Sequence, residues 1–163
     1  MPADYHKSRD RWYVAPMGRL EWLETGLKAA AMLVAYAALL QALLAGRLNA
    51  ATVAGTQSTI LLWMAVALSV AVIDRLQQRE VISIAFVVFN SLAHWAMYLL
   101  LLRSALPVAP VVAWCVLMIA GDIAKMAFFL RSEFTVRGLP KPVLLLGVFA
   151  FVVGYAVVLA LAL

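Results

Sequence analysis

A chain of 163 residues has the length of one domain, but 66% hydrophobic residues, 13% charged residues and a mean hydropathy of +0.99 exclude an ordinary soluble one. The net charge of +5 sits mostly in short connectors between apolar runs, which marks membrane topology and argues against a nucleic-acid footprint. The single cysteine, Cys115, excludes an intramolecular disulfide and a thiolate metal site.

Residues 1–26 mix charge with Tyr5, Trp12, Tyr13 and Trp22, and Pro16 and Gly18 interrupt them. This composition predicts a cytoplasmic or interfacial N-terminal segment, with a helix running from Leu20. Five apolar spans follow at about 27–46, 52–73, 81–102, 108–130 and 142–163, each near the ~20 residues needed to cross a hydrocarbon core. The expected fold is therefore all-α: a polytopic integral membrane protein, built as a five-transmembrane-helix bundle in one domain over residues 1–163.

Span one carries Ala31, Ala35, Ala38 and Ala42 at helical spacing, a face that a neighbouring helix can approach closely. Thr52, Thr56 and Thr59 in the approach to span two can bond carbonyls one turn back. Asp74 to Glu80 forms a short turn that makes spans two and three antiparallel neighbours. Span three has the clearest polar stripe, with Asn90, His94 and Tyr98 four apart on one face. Pro110 suits the first turn of span four, and Gly147, Ala150 and Gly154 give span five a small-residue face.

Basic residues fix the orientation. Lys7, Arg9, Arg11, Arg19 and Lys28 precede or open span one, Arg75 and Arg79 follow span two, and Arg131, Arg137 and Lys141 separate spans four and five. The opposite connectors hold only Arg47 and Arg103. The positive-inside rule then places the N-terminus in the cytoplasm and Leu163 on the far side, in a plasma or bacterial inner membrane.

Two opposite charges, Asp122 and Lys125, lie inside the fourth span, where ionisable groups are expensive and mark function. Counted from Arg131 and Val81, Asp122 and Asn90 are both about 14 Å deep at the helical rise of ~1.5 Å per residue. Tyr36, counted from Lys28, is about 12 Å deep, whereas Gln41 and His94 are about 20 Å deep. The expected arrangement is an inner polar layer of Tyr36, Asn90 and Asp122 beneath an outer layer of Gln41 and His94. Lys125 either reaches the headgroups or meets Asp122 one turn away. Together with Tyr98, these residues are the candidates to line a ligand site or ion path.

An enzyme is disfavoured: one intramembrane carboxylate cannot form an aspartyl dyad, and G-x-S-x-G, Walker A, G-x-G-x-x-G and H-E-x-x-H motifs are all absent. Two histidines are too few for a two-haem bundle, so neither haem nor metal is expected beyond a single axial ligand from His94, and no cofactor is legible. The sequence favours a subunit or oligomer-forming component of a membrane assembly, partnered by lipid and by copies of itself or a larger complex. Transport of ions or small molecules is the alternative, and a membrane-embedded enzyme comes third.

Overall fold

The computed structural model describes residues 12, 14–48, 55–103, 108–132 and 139–163, apart from the side chains at 74, 77 and 78. The expected interfacial arm up to residue 11, and a start of span two at 52, lie outside them. Among the described residues the fold is all-helical, with α1 (Arg19–Leu44), α2 (Thr56–Gln78), α3 (Val81–Arg103), α4 (Val108–Arg131) and α5 (Lys141–Ala160). Each of the five is long and apolar enough to cross a membrane.

The helices close into a ring in the order α1, α4, α5, α2, α3 and back to α1, with α2 against α5 the thinnest seam. Chain connectivity makes one end of the ring, here called proximal, from the starts of α1, α3 and α5 and the ends of α2 and α4. Arg19, Arg75, Arg79, Arg131 and Lys141 belong to that end, whereas Arg47 and Arg103 belong to the distal one.

Small residues set the spacing between the helices. Ala31, Ala35, Ala38 and Ala42 are all buried, so the predicted alanine face of α1 is used inside the ring. On α5 the predicted face divides, because Gly154 packs against Met64 while Gly147 and Ala150 are exposed. Polar clasps reinforce the seams. Ser69 Oγ lies 3.0 Å from Ser91 Oγ and accepts from Trp95 Nε1 at 3.0 Å, joining α2 to α3. Gln57 Nε2 donates to the Val158 carbonyl at 3.0 Å, joining α2 to α5 in the distal half.

The α2–α3 connection is shorter than the expected turn from Asp74 to Glu80. Helix α2 continues to Gln78, and the chain reverses through Arg79, whose positive φ of 57° is the left-handed conformation that ends helices. Glu80 then caps α3. Its carboxylate accepts from the backbone N–H groups of Ile82, at 3.2 Å, and Ser83, satisfying donors that a helix start leaves open. The same carboxylate accepts from Ala15 N at 3.2 Å, which ties the strand before α1 to the start of α3.

Burial pushes the Glu80 carboxyl up, but the hydrogen bonds from Ser83, Ala15 and Ile82 outweigh it and hold the group below its ordinary value. A carboxyl depressed by folding contributes stability above its unfolded pKa, near 4.3, and loses it as pH falls through the lower folded value. Thermal melts of the purified protein and Glu80→Gln should therefore differ most at neutral pH and converge in the acid range below about pH 4. Glu80→Ala, which also removes the cap, is expected to cost about 1 kcal/mol.

Candidate functional site

Four charged side chains meet where the proximal half of α1 faces α4. Lys28 Nζ lies 2.9 Å from Glu24 Oε1 and 2.5 Å from Asp122 Oδ1, and Lys125 Nζ lies 3.3 Å from the same Glu24 oxygen. Lys28 and Asp122 are each only 4% exposed, so protein groups rather than water must compensate both charges. The quartet alternates in sign and sums to zero. It also bridges two helices that are far apart in sequence.

Local sequence explains how α1 supplies two of the four. Glu24 and Lys28 are one helical turn apart, the spacing and order that favour an ion pair along a helix. Opposite them, Gly121 leaves room for the lysine stem: a Cβ there would lie 2.8 Å from Lys28 Cγ and 3.2 Å from Lys28 Cε. Glycine at 121 thus lets the Lys28 side chain cross the α4 backbone on its way to Asp122.

This geometry bears on two expectations, one about α1 and one about α4. Lys28 is not a cytoplasmic marker at the edge of the first span; it is nine residues inside a helix that starts at Arg19, the same distance that separates Asp122 from Arg131. Lys125 neither pairs with Asp122 nor turns away from the bundle, because Glu24 takes its ammonium group and the Phe129 ring centroid lies 6.0 Å from it. A depth count from Lys28 hides the match, since it makes the partner of Asp122 the zero of the scale.

Beside the quartet lies a half-open cavity of about 460 Å³, lined by residues of all five helices at their proximal ends. Asn90, Asp122 and Tyr155 line it together with Lys28 and Lys125. Much of its wall is apolar and aromatic, including Phe86, Phe128 and Phe151. Asn90 is 5% exposed, and its Oδ1 has no hydrogen-bond partner.

The cavity ends against an aromatic plug. Fully buried His94 donates through Nδ1 to the Asn90 carbonyl at 2.7 Å, which in the neutral ring leaves Nε2 to accept the Tyr155 hydroxyl at 2.6 Å. Trp114 stands edge-on to both rings, with centroids 5.1 Å from His94 and 5.2 Å from Tyr155. Beyond it the distal half is filled by Met97, Leu100, Val111, Cys115, Met118 and the alanines of α1.

The remaining candidates stand elsewhere. Tyr36 does not line the cavity, and its hydroxyl donates to the Phe89 carbonyl at 2.5 Å as an α1–α3 clasp. Tyr98 is half-buried with its ring edge-on to Trp95, and Gln41 is exposed, away from His94. The expected outer layer of Gln41 and His94 therefore does not assemble, because Gln41 lies on the outward side of α1. Among the described residues no group of three His, Cys, Asp or Glu side chains is placed to hold a metal ion.

Comparison with known proteins gives no match to a family, a curated protein or a solved structure. Function has to be argued from the site. Sequence reading missed Glu24, Lys28, Trp114 and Tyr155. The signal for the first two was present: they are i,i+4 partners of opposite sign, at the depth of Asp122 once α1 is counted from its own start. His94 and Tyr155 are likewise at nearly equal depths, 13 and 14 residues from the starts of α3 and α5.

Two glycine substitutions separate packing from propensity. Gly121→Ala should lower thermal stability by about 1–3 kcal/mol, because its methyl group displaces the Lys28 stem. Gly26→Ala, on an exposed position of α1 with nothing within 4 Å of the new Cβ, should instead be neutral or stabilise by up to about 1 kcal/mol. Equal melting temperatures for the two variants would contradict the placement of Lys28 against Gly121.

Proposed function

We propose that this chain is an integral membrane protein that spans the bilayer five times and carries a small molecule through the proximal cavity. Five helices of spanning length and composition support insertion. The excess of basic residues at the proximal end supports a cytoplasmic position for that end.

The observation that carries the reading is the cavity itself: about 460 Å³, open at one end of the ring, reaching a buried charge pair and stopped there by aromatic side chains. That volume lies within the range of small-molecule sites, and apolar walls with a few converging polar groups are their usual chemistry. One open half and one packed half are what a carrier presents when it faces one side of the membrane. Movement at the thin α2–α5 seam, across the His94–Tyr155–Trp114 plug, would open the other side.

Assembly was the leading expectation from sequence, resting on small-residue faces, among them the alanine stripe of α1, and on the aromatic N-terminal arm. That stripe is buried within the chain, so it offers no face to a partner. The ring of five helices also forms the cavity wall from a single chain.

Thiol accessibility tests the carrier reading. In a Cys115→Ala background, Ser83→Cys on the cavity wall should react with a membrane-impermeant thiol reagent from the cytoplasmic face only. Ala42→Cys, buried in the distal core, should react slowly from the opposite face, and the rate should change when a cavity ligand is added. Complete protection of position 42 from both faces, with position 83 freely reactive, would leave a one-sided binding protein and overturn transport.

A further inference from the structure

The geometry points to a monocationic amphiphile, a molecule with a protonated amine and an apolar body, as the ligand of the proximal cavity. This rests on the reading of that cavity as a small-molecule site.

Charge balance gives the sign. The cavity wall carries four carboxylates, from Glu21, Glu24, Glu80 and Asp122, against the cations of Lys28, Arg75 and Lys125. The quartet of Glu24, Lys28, Asp122 and Lys125 cancels internally, and Glu21 and Glu80 both accept from backbone N–H groups without losing their charge. A wall of described residues with one more anion than cation is neutralised by a ligand of single positive charge. An anionic ligand would double the imbalance.

Hydrogen bonding gives the head group. Asn90 lines the cavity, and its buried Oδ1 has no hydrogen-bond partner; an acceptor left so costs stability until something donates to it. An ammonium N–H or an alcohol O–H supplies that donor and a carboxylate cannot; between the two, the charge balance and the stronger bond of a charged donor select the ammonium. The aromatic walls agree: Phe86 lies one turn from Asn90 on α3 and Phe151 one turn from Tyr155 on α5. Ring faces are electron-rich and attract a desolvated cation, while their area covers an apolar body.

Three probes with one body and different heads test this: phenylbutylamine, phenylbutyrate and phenylbutanol, titrated by calorimetry at neutral pH into the protein in nanodiscs, with empty nanodiscs subtracted. The amine should bind saturably and about tenfold or more tighter than the other two. Asn90→Leu should weaken the amine about tenfold and leave the alcohol less affected.

Gly147→Leu guards against a folding artefact. Position 147 lines the cavity with nothing within 4 Å of an added Cβ, so a leucine there should narrow the cavity and weaken binding of every probe about tenfold or more. Tighter binding of the butyrate or the alcohol, still weakened in Gly147→Leu, would overturn the ligand class and leave the cavity as a binding site. Absence of saturable binding by all three, or binding indifferent to Gly147→Leu, would overturn both.

Discussion

The ammonium group of Lys28, held between Glu24 on its own helix and Asp122 across the interface, is the constraint from which the rest of the molecule follows. Apolar packing alone tolerates many rotations of one greasy helix against another, because one alkyl face resembles the next. A buried charge does not: leaving it unpaired costs several kcal/mol, so α1 and α4 are fixed in rotation and in depth. Gly121 is the complementary vacancy, and Lys125 completes the circuit by taking up the other side of Glu24. Buried pairs add little net stability compared with well-packed hydrophobic groups, and their value here is in specifying one arrangement.

With α1 and α4 in register, the two halves of the ring acquire different characters. The distal half closes because alanines on α1 admit Trp114, Met118 and their neighbours into the centre. The proximal half stays open because its large side chains, including Phe86, Phe128 and Phe151, stand around the wall rather than across it. His94 and Tyr155 sit where the halves meet, joined by a hydrogen bond that links α3 to α5. A chain of apolar helices thus forms a chamber at one end whose apolar wall carries a few charged groups, and the proposed carrier activity depends on the contrast with the packed end.

Helix number, positions and the alanine face of α1 were legible in the sequence, because period and length determine them directly. Partner identity was less accessible. Glu24 and Lys28 looked like part of a charged N-terminal segment because ordinary positive-inside counting assigns a lysine near the first apolar run to the cytoplasm. The expected helix start at Leu20, one residue from the observed Arg19, already places them within α1; counting depth from Lys28 instead of from that start hid the match. Gln41 shows the opposite error: a polar residue at matching depth lay on the wrong side of its helix, which depth arithmetic cannot detect. Trp114 and Tyr155 were overlooked because aromatic residues in apolar spans are common, and nothing local distinguishes a plug from ordinary core.

Energetic coupling between positions 28 and 122 is the most direct measurement of the central claim. Unfolding of Lys28→Met, Asp122→Leu and the double variant would be compared with the parent protein in the same detergent. Lys28→Met leaves Asp122 without its partner and Asp122→Leu leaves two lysines sharing Glu24, so each unbalances a buried charge and should cost about 3–5 kcal/mol, whereas the double variant leaves Glu24 paired with Lys125 and should recover at least about 2 kcal/mol of the summed loss. Losses that add to within about 0.5 kcal/mol would mean that the two side chains do not meet, and the placement of α1 against α4 would be contradicted.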